Sequence, residues 1–246
     1  GCGSQSTVLE TWHYAQGAEP LVLRGIMKHK IIKQCWQDHR PFWYMDSGYF
    51  GNRPSAANPH GWKLWHRVVA NDLQHGAVQP RPADRWQRHQ IAMPKRTHGT
   101  HIVIAAPDAK PCIFYGINLE QWLEQTMATL RQHTDRPILV RQRNPNRQTR
   151  LANDFTASLQ DVHAVVTFNS IAATESILAG VPVFVLAPTN AALPMANRDL
   201  AKIEQPWFPH ADQIHAWACY LAYGQFHNNE LQDGTALKIL KEWDHA

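Results

Sequence analysis

Between His101 and Leu186 the sequence alternates short, continuously apolar runs with amphipathic stretches, and no other feature restricts the fold as much. His101 to Ala106, Pro137 to Val140, Ala164 to Phe168 and Val181 to Leu186 read as strands. Strands apolar at nearly every position are buried on both faces, the condition of a parallel sheet with helices packed on either side. Asn118 opens one such helix, with Leu119, Trp122, Leu123, Met127 and Leu130 recurring at helical spacing. Helices are also expected over 151–159 and 172–178. Together these predict a doubly wound α/β sheet, whose ligands bind outside the carboxyl ends of its strands.

The first hundred residues are less regular. Residues 20–23 and 41–45 read as strands around a helix over 27–37, and Asp46 follows the second strand. The run from Asp46 to Pro54 is dense in turn formers, and the irregular composition continues to Gly61, with Trp62 and Trp65 beyond it. Pro80, Pro82, Pro94 and Gly99 lie among basic residues and suit a connection between domains. The expected division is a small α/β domain over 1–97, including this basic linker, and a larger domain over 98–246 that ends in helices near 214–224 and 230–243. A chain of 246 residues has room for two small domains around a cleft.

Composition excludes several classes. With 44% hydrophobic and 18% charged residues, a packed core is expected and wholesale disorder is not. The longest apolar runs fall far short of the roughly 20 residues of a membrane-spanning helix, and no signal peptide is read at the start. A cytoplasmic location is therefore expected. Cys2, Cys35, Cys112 and Cys219 are too scattered for zinc ligation, and the closest suggestive pair, His98 and His101, lacks accompanying carboxylates, so no metal is expected. The net charge of +4 is concentrated in two clusters: Arg81, Arg85, Arg88, Lys95 and Arg96, and then Arg141, Arg143, Arg147 and Arg150. Either can hold phosphates or form a solvated basic face.

The segment that carries chemistry runs from Val165 to Val183. A buried strand feeds the Asn169-Ser170 turn, a short helix leaves it, and Gly180 ends that helix before Pro182 starts the next strand. The N–H groups of Ser170 to Ala173 are expected to be free to bind an anion. Asn169-Ser170, Glu175 and Gly180-Val181-Pro182-Val183 resemble the donor site of GT-B glycosyltransferases, particularly capsule-polysaccharide transferases. The resemblance covers about 100–210 and implies a GT-B-like fold, with two Rossmann-like domains facing a cleft, the N-terminal one small.

That resemblance implies a nucleotide-sugar co-substrate, with a UDP-sugar expected, and no other cofactor. Asn169, Ser170 and Thr174 would hold the diphosphate and Glu175 the ribose hydroxyls, although Glu175 also reads as a surface carboxylate. Arg141 follows its strand where the family often places a basic residue. Here Arg143-Asn144-Pro145 stands in place of the usual His-Pro, which leaves the role of Arg143 open. Arg198 either meets a phosphate or pairs with Asp199 or Glu204. On the acceptor side, the segment from Phe42 to Phe50 resembles both capsule transferases and phage proteins that glycosylate DNA bases. Asp46 is the expected catalytic base, with Asp72 in reserve; the alternative for Asp46 is a turn cap on Gly48 or Tyr49 N–H. Tyr49, Arg53, Trp62, Arg67 and Arg85 are the expected acceptor contacts. Basic clusters interleaved with Trp62, Trp65 and Trp86 favour DNA carrying hydroxymethylpyrimidines, modified in a host cytoplasm if the protein is phage-encoded. A surface polysaccharide is the alternative acceptor, and a non-catalytic binding module or an epimerase the alternative protein.

Overall fold

The structure, a computed structural model, describes residues 14, 17–52, 64–142 and 155–244. In chain order the elements are β1 (Leu21–Arg24), α1 (His29–Gln37), β2 (Phe42–Ser47), β3 (Trp65–Ala70), α2 (Asp84–Gln87), β4 (His101–Ala105), α3 (Ala109–Tyr115), α4 (Leu119–Arg131), β5 (Ile138–Arg141), β6 (Val162–Thr167), α5 (Ala172–Leu178), β7 (Val183–Val185), α6 (Ala211–Tyr223), β8 (Gln225–His227), α7 (Asn228–Gln232) and α8 (Thr235–Asp244). The described residues of 1–73, 82–89 and 220–246 form one compact unit, and those of 74–81 and 90–219 a second.

The second unit carries the sheet β5-β4-β6-β7, parallel throughout, as the alternating pattern predicts. Every residue of β6 is buried, and Ile102, Ile104, Leu130, Val166, Phe184 and Ile203 share one core cluster. Each such side chain contributes about 1.5–3 kcal/mol on burial. β5 lies at the edge, where Leu139 and Val140 are exposed despite their apolar character. Asn118 caps α4 by accepting from the Gln121 N–H, as expected. The helix expected over 151–159 lies partly outside the described residues, and within it Ala157–Leu159 is a single 3-10 turn.

Gly180 closes the α5 unit for a steric reason. Its φ is +85°, a left-handed conformation, and a Cβ there would stand 2.0 Å from the Lys95 carbonyl oxygen. The close approach lets Thr97 N–H donate to the Gly180 carbonyl at 2.8 Å, which ties the incoming strand of chain to the end of α5.

The first unit departs from expectation. Its sheet, β1-β2-β3-β8, is mixed: β1 and β2 are parallel, while β3 runs antiparallel to both β2 and β8. An antiparallel hairpin-type pairing at its centre is not the all-parallel arrangement of a Rossmann-like domain. The segment read as joining two terminal helices holds β8, which pairs with β3, so the chain from Tyr220 onward belongs to this unit and not to the second. Phe226 and Val68 from the sheet pack with Ala236 and Leu240 of α8 to form its core.

Candidate functional site

In the second unit the strand order places a topological switch. The chain leaves β4 for β5 on one side and then returns past β4 to β6 on the other. The loops after β4 and β6 therefore diverge and leave a crevice between them, the usual ligand position in open α/β sheets. Ala106, Pro107 and Asp108 follow β4, and Phe168, Asn169 and Ser170 follow β6, so these residues are placed to line it.

Pairing register sets the expected donor residues along this edge. Arg141, Ala105, Thr167 and Val185 form one row across the four strands. At the usual strand spacing Arg141 and Thr167 are about 10 Å apart. Arg141 Nη1 donates to Ser158 Oγ, and its guanidinium lies 5.0 Å from the Phe155 ring centre. Arg198 is exposed and donates from Nη1 to the Ala187 carbonyl at 2.6 Å, while the Ala187 N–H donates to the Phe168 carbonyl at 3.1 Å. That chain of contacts links Arg198 through Ala187 to Phe168, the residue that follows β6. Neither proposed partner claims it: Glu204 is engaged by Arg136 and Asp199 caps the following turn.

The anion pocket at the start of α5 is smaller than expected. Ser170 Oγ accepts from the Ala172 N–H at 3.2 Å, and the Ser170 carbonyl accepts from the Ala173 N–H at 3.2 Å. Of the four N–H groups expected to face a ligand, at most those of Ser170 and Ile171 remain. Thr174 is 1% exposed, with its hydroxyl buried and unpartnered, so its packing keeps it away from a ligand in the crevice. Glu175 is half-buried in the first turn of α5. Arg143 lies outside the described residues.

Two groups on this edge escaped the sequence reading. Asn190, 2% exposed, donates to the Ser170 carbonyl at 3.3 Å and accepts from Ala192 N–H at 2.8 Å, which ties the loop after β7 to the Asn169-Ser170 turn. Tyr115 hydrogen-bonds Thr189 through their hydroxyls at 2.7 Å and packs edge-on to Phe168 at 5.1 Å. The signal for both was the turn-forming run Pro188-Thr189-Asn190 directly after an apolar strand.

In the first unit Asp46 sits within β2, opposite Arg67 of β3. Its Oδ2 accepts from Tyr44 Oη at 2.7 Å and from Arg67 Nη2 at 3.4 Å, and its Oδ1 accepts from Ser47 N–H at 2.8 Å. The Asp46 side chain is 37% exposed. The alternative turn-cap geometry is absent, because Gly48 N–H donates to the Trp65 carbonyl and Tyr49 N–H to Gln225 Oε1. The reserve candidate Asp72 accepts from the Leu73 N–H at 2.5 Å.

The expected acceptor contacts are mostly interior. Arg67 is 8% exposed and donates to the Ser47 and Leu73 carbonyls as well as to Asp46. Burial alone would lower its pKa, but Asp46 beside it holds the guanidinium above its ordinary value. Arg85 is 4% exposed, paired with Glu230 at 2.7 Å and bonded to the Ala222 and Gln225 carbonyls. Tyr49 is 4% exposed, and Trp86 packs against Phe50 at 5.1 Å. None of these four presents a surface to an acceptor, because each is consumed by packing or by a buried polar partner. Arg53 and Trp62 lie outside the described residues. Gly48, two residues after Asp46, is closely packed: a Cβ there would stand 2.9 Å from Gln225 Oε1 and 2.9 Å from Trp65 Cβ.

Among the described residues, no helix is long and apolar enough to cross a membrane. No protein-family profile matches the chain, and no curated protein sequence matches it. Among solved structures it is similar to the KpsC beta Kdo 2,4 transferase of Thermosulfurimonas dismutans, with a TM-score of 0.43 and 10% identity over 81% of this chain and 78% of that one. The KpsC beta Kdo 2,7 transferase of the same organism gives a TM-score of 0.42 and 14% identity over 81% and 75%. A likeness at these TM-scores and identities carries no residue role or activity across.

Proposed function

We propose that the chain is a glycosyltransferase, drawing a sugar from a nucleotide-sugar donor at the carboxyl edge of the second sheet and passing it to a hydroxyl acceptor. The observation that supports this most is the switch between β4 and β6, with the Asn169-Ser170 turn on one wall. Arg141 and Arg198 lie along the same edge, where they offer positive charge to a diphosphate. The resemblance of that turn and of Gly180-Val181-Pro182-Val183 to capsule-polysaccharide transferases supplies the choice of ligand. Glu175 is assigned to the ribose hydroxyls.

Of the two acceptors, a surface polysaccharide is favoured over a DNA base. Binding DNA requires cations and aromatic faces open to phosphates and bases. Arg67, Arg85, Tyr49 and Trp86 are buried, and a hydroxyl-rich polysaccharide has no need of them. Asp46 is assigned as the base: the donors around it are those that an ionised carboxylate accepts, and its side chain stays partly exposed.

Nucleotide release would be measured with UDP-, GDP- and CMP-linked sugars, with capsular polysaccharide and hydroxymethylated DNA as acceptors. Glu175→Ala should weaken nucleotide binding by about 1–3 kcal/mol. Asp46→Asn should keep nucleotide binding while turnover falls by about 10²–10⁴. Nucleotide affinity indifferent to Glu175→Ala would remove the donor assignment, and faster transfer to DNA would restore the nucleic-acid acceptor.

A further inference from the structure

At the amino ends of the second unit's strands, opposite the crevice, lies a cavity of about 410 Å³ lined by Arg96, His98, Arg136, His163, Glu204 and Gln205, among others. Gly99 and Thr100 lead into β4 there, Arg136 leads into β5, and His163 is the second residue of β6. This volume is near the lower end for small-molecule pockets, enough for a phosphate on a body about the size of one sugar.

The charges around it do not cancel. Among the described residues Glu204 is the only carboxylate on the lining, and it is already engaged: it accepts from the Thr134 hydroxyl and from Arg136 Nε at 3.1 and 3.0 Å. Nearby Asp161 accepts from the Thr100 hydroxyl at 2.5 Å. Arg136 also donates from Nη1 to the Gly99 carbonyl at 3.0 Å, which leaves its Nη2 hydrogens outside these bonds. Arg96 is exposed and pairs with no carboxylate among the described residues.

His163 adds a directional requirement. It is 7% exposed, and its Nε2 lies 2.7 Å from the Ile203 carbonyl, an acceptor, so Nε2 must carry the proton. In the neutral ring, Nδ1 is then an acceptor, and because it is not one of the buried unpartnered atoms it is open to solvent or to a ligand. Burial, followed by Arg136 and Arg96, holds the His163 pKa below its ordinary value, against the raising influence of the Ile203 carbonyl and Glu204. The cavity thus offers guanidinium donors and one imidazole acceptor. A carboxylate or sulfate, which brings only acceptors, leaves that acceptor to water. A singly protonated phosphate monoester brings both.

We propose that this cavity binds a phosphate monoester in its singly protonated form, with its oxygens on Arg96 and Arg136 and its P–O–H donating to His163 Nδ1. The site is separate from the donor crevice and does not depend on the transferase reading.

The test uses glycerol 2-phosphate at about pH 6, where a monoester is roughly half protonated. It is compared with sulfate and acetate, following the imidazole nitrogens of His163 by NMR alongside calorimetric affinities. The monoester should shift the His163 Nδ1 resonance and bind at least about tenfold more tightly than sulfate or acetate, the scale of one hydrogen bond to a charged group. Arg96→Gln, an exposed substitution, should leave thermal stability unchanged and weaken monoester binding about tenfold or more. Equal affinity for sulfate, an unmoved His163 resonance, or undiminished binding in Arg96→Gln would each overturn the assignment.

Discussion

Acidification should loosen the loop between Gly48 and Asn52 through one imidazole. Gln225 is fully buried, and its Oε1 accepts from the N–H groups of Tyr49 at 2.6 Å and Phe50 at 2.9 Å. That pair of donors fixes which end of the amide is oxygen. The other end, Nε2, donates to His89 Nε2 at 3.0 Å. His89 must therefore be neutral, with its proton on Nδ1. A second proton would set N–H against N–H and bury a cation near Arg85 and Arg88. Burial first, and then those two arginines, lower its pKa from 6.5 to about 4.

The native state then binds fewer protons than the unfolded chain between those two values, so stability rises with pH across that window. The contribution is fully present above about pH 6.5 and is lost progressively towards pH 4, by about 3 kcal/mol in all. Urea unfolding of the native protein and of His89→Gln would be compared from pH 7.5 to 4, because the difference between the two curves cancels other titrating groups. The variant's disadvantage should shrink by about 3 kcal/mol as the pH falls. A difference constant within about 0.5 kcal/mol, or a His89 titration by NMR near the ordinary histidine value of about 6.5, would falsify the neutral-imidazole argument.

Glu230→Ala should cost about 3–5 kcal/mol, because it strands the guanidinium of Arg85 in the interior; replacing both residues by apolar ones of similar volume, as in Arg85→Met with Glu230→Leu, should recover most of that loss. Chemical denaturation of the single and double variants checks this, and a double variant no more stable than Glu230→Ala would refute it. Burial alone would raise the Glu230 pKa, but its hydrogen bonds from Arg85 and the His227 N–H lower it, so the contribution of this pair should persist above the ordinary carboxylate range and fade in acid. Gly180→Ala should destabilise the second unit by at least about 2 kcal/mol, since a left-handed backbone and the Lys95 carbonyl both oppose a Cβ; a melting temperature within error of the native one would contradict the steric account.

The parallel half of the fold was legible because its information is local. Continuous apolar runs mark β4 and β6, the Asn118 cap marks α4, and α5 ends at Gly180 because the next conformation requires glycine. The mixed sheet was not legible. β8 has three residues, too few for a period, and its partner β3 lies far away in sequence. The same distance hid the fate of the cations. Arg85 meets Glu230 across 145 residues, and Arg67 meets Asp46 across 21 through the register of an antiparallel pair. A run of basic residues records how many charges a segment carries, whereas binding to a polyanion depends on how many stay unpaired at the surface. In the cluster that begins at Arg81, Arg85 is buried with Glu230 and Arg88 bridges to Asp84 and Glu230, while Arg96 has no carboxylate partner among the described residues. Long-range pairing thus removes cations from a DNA-binding face that sequence proximity had counted together, and leaves Arg96 at a different cavity.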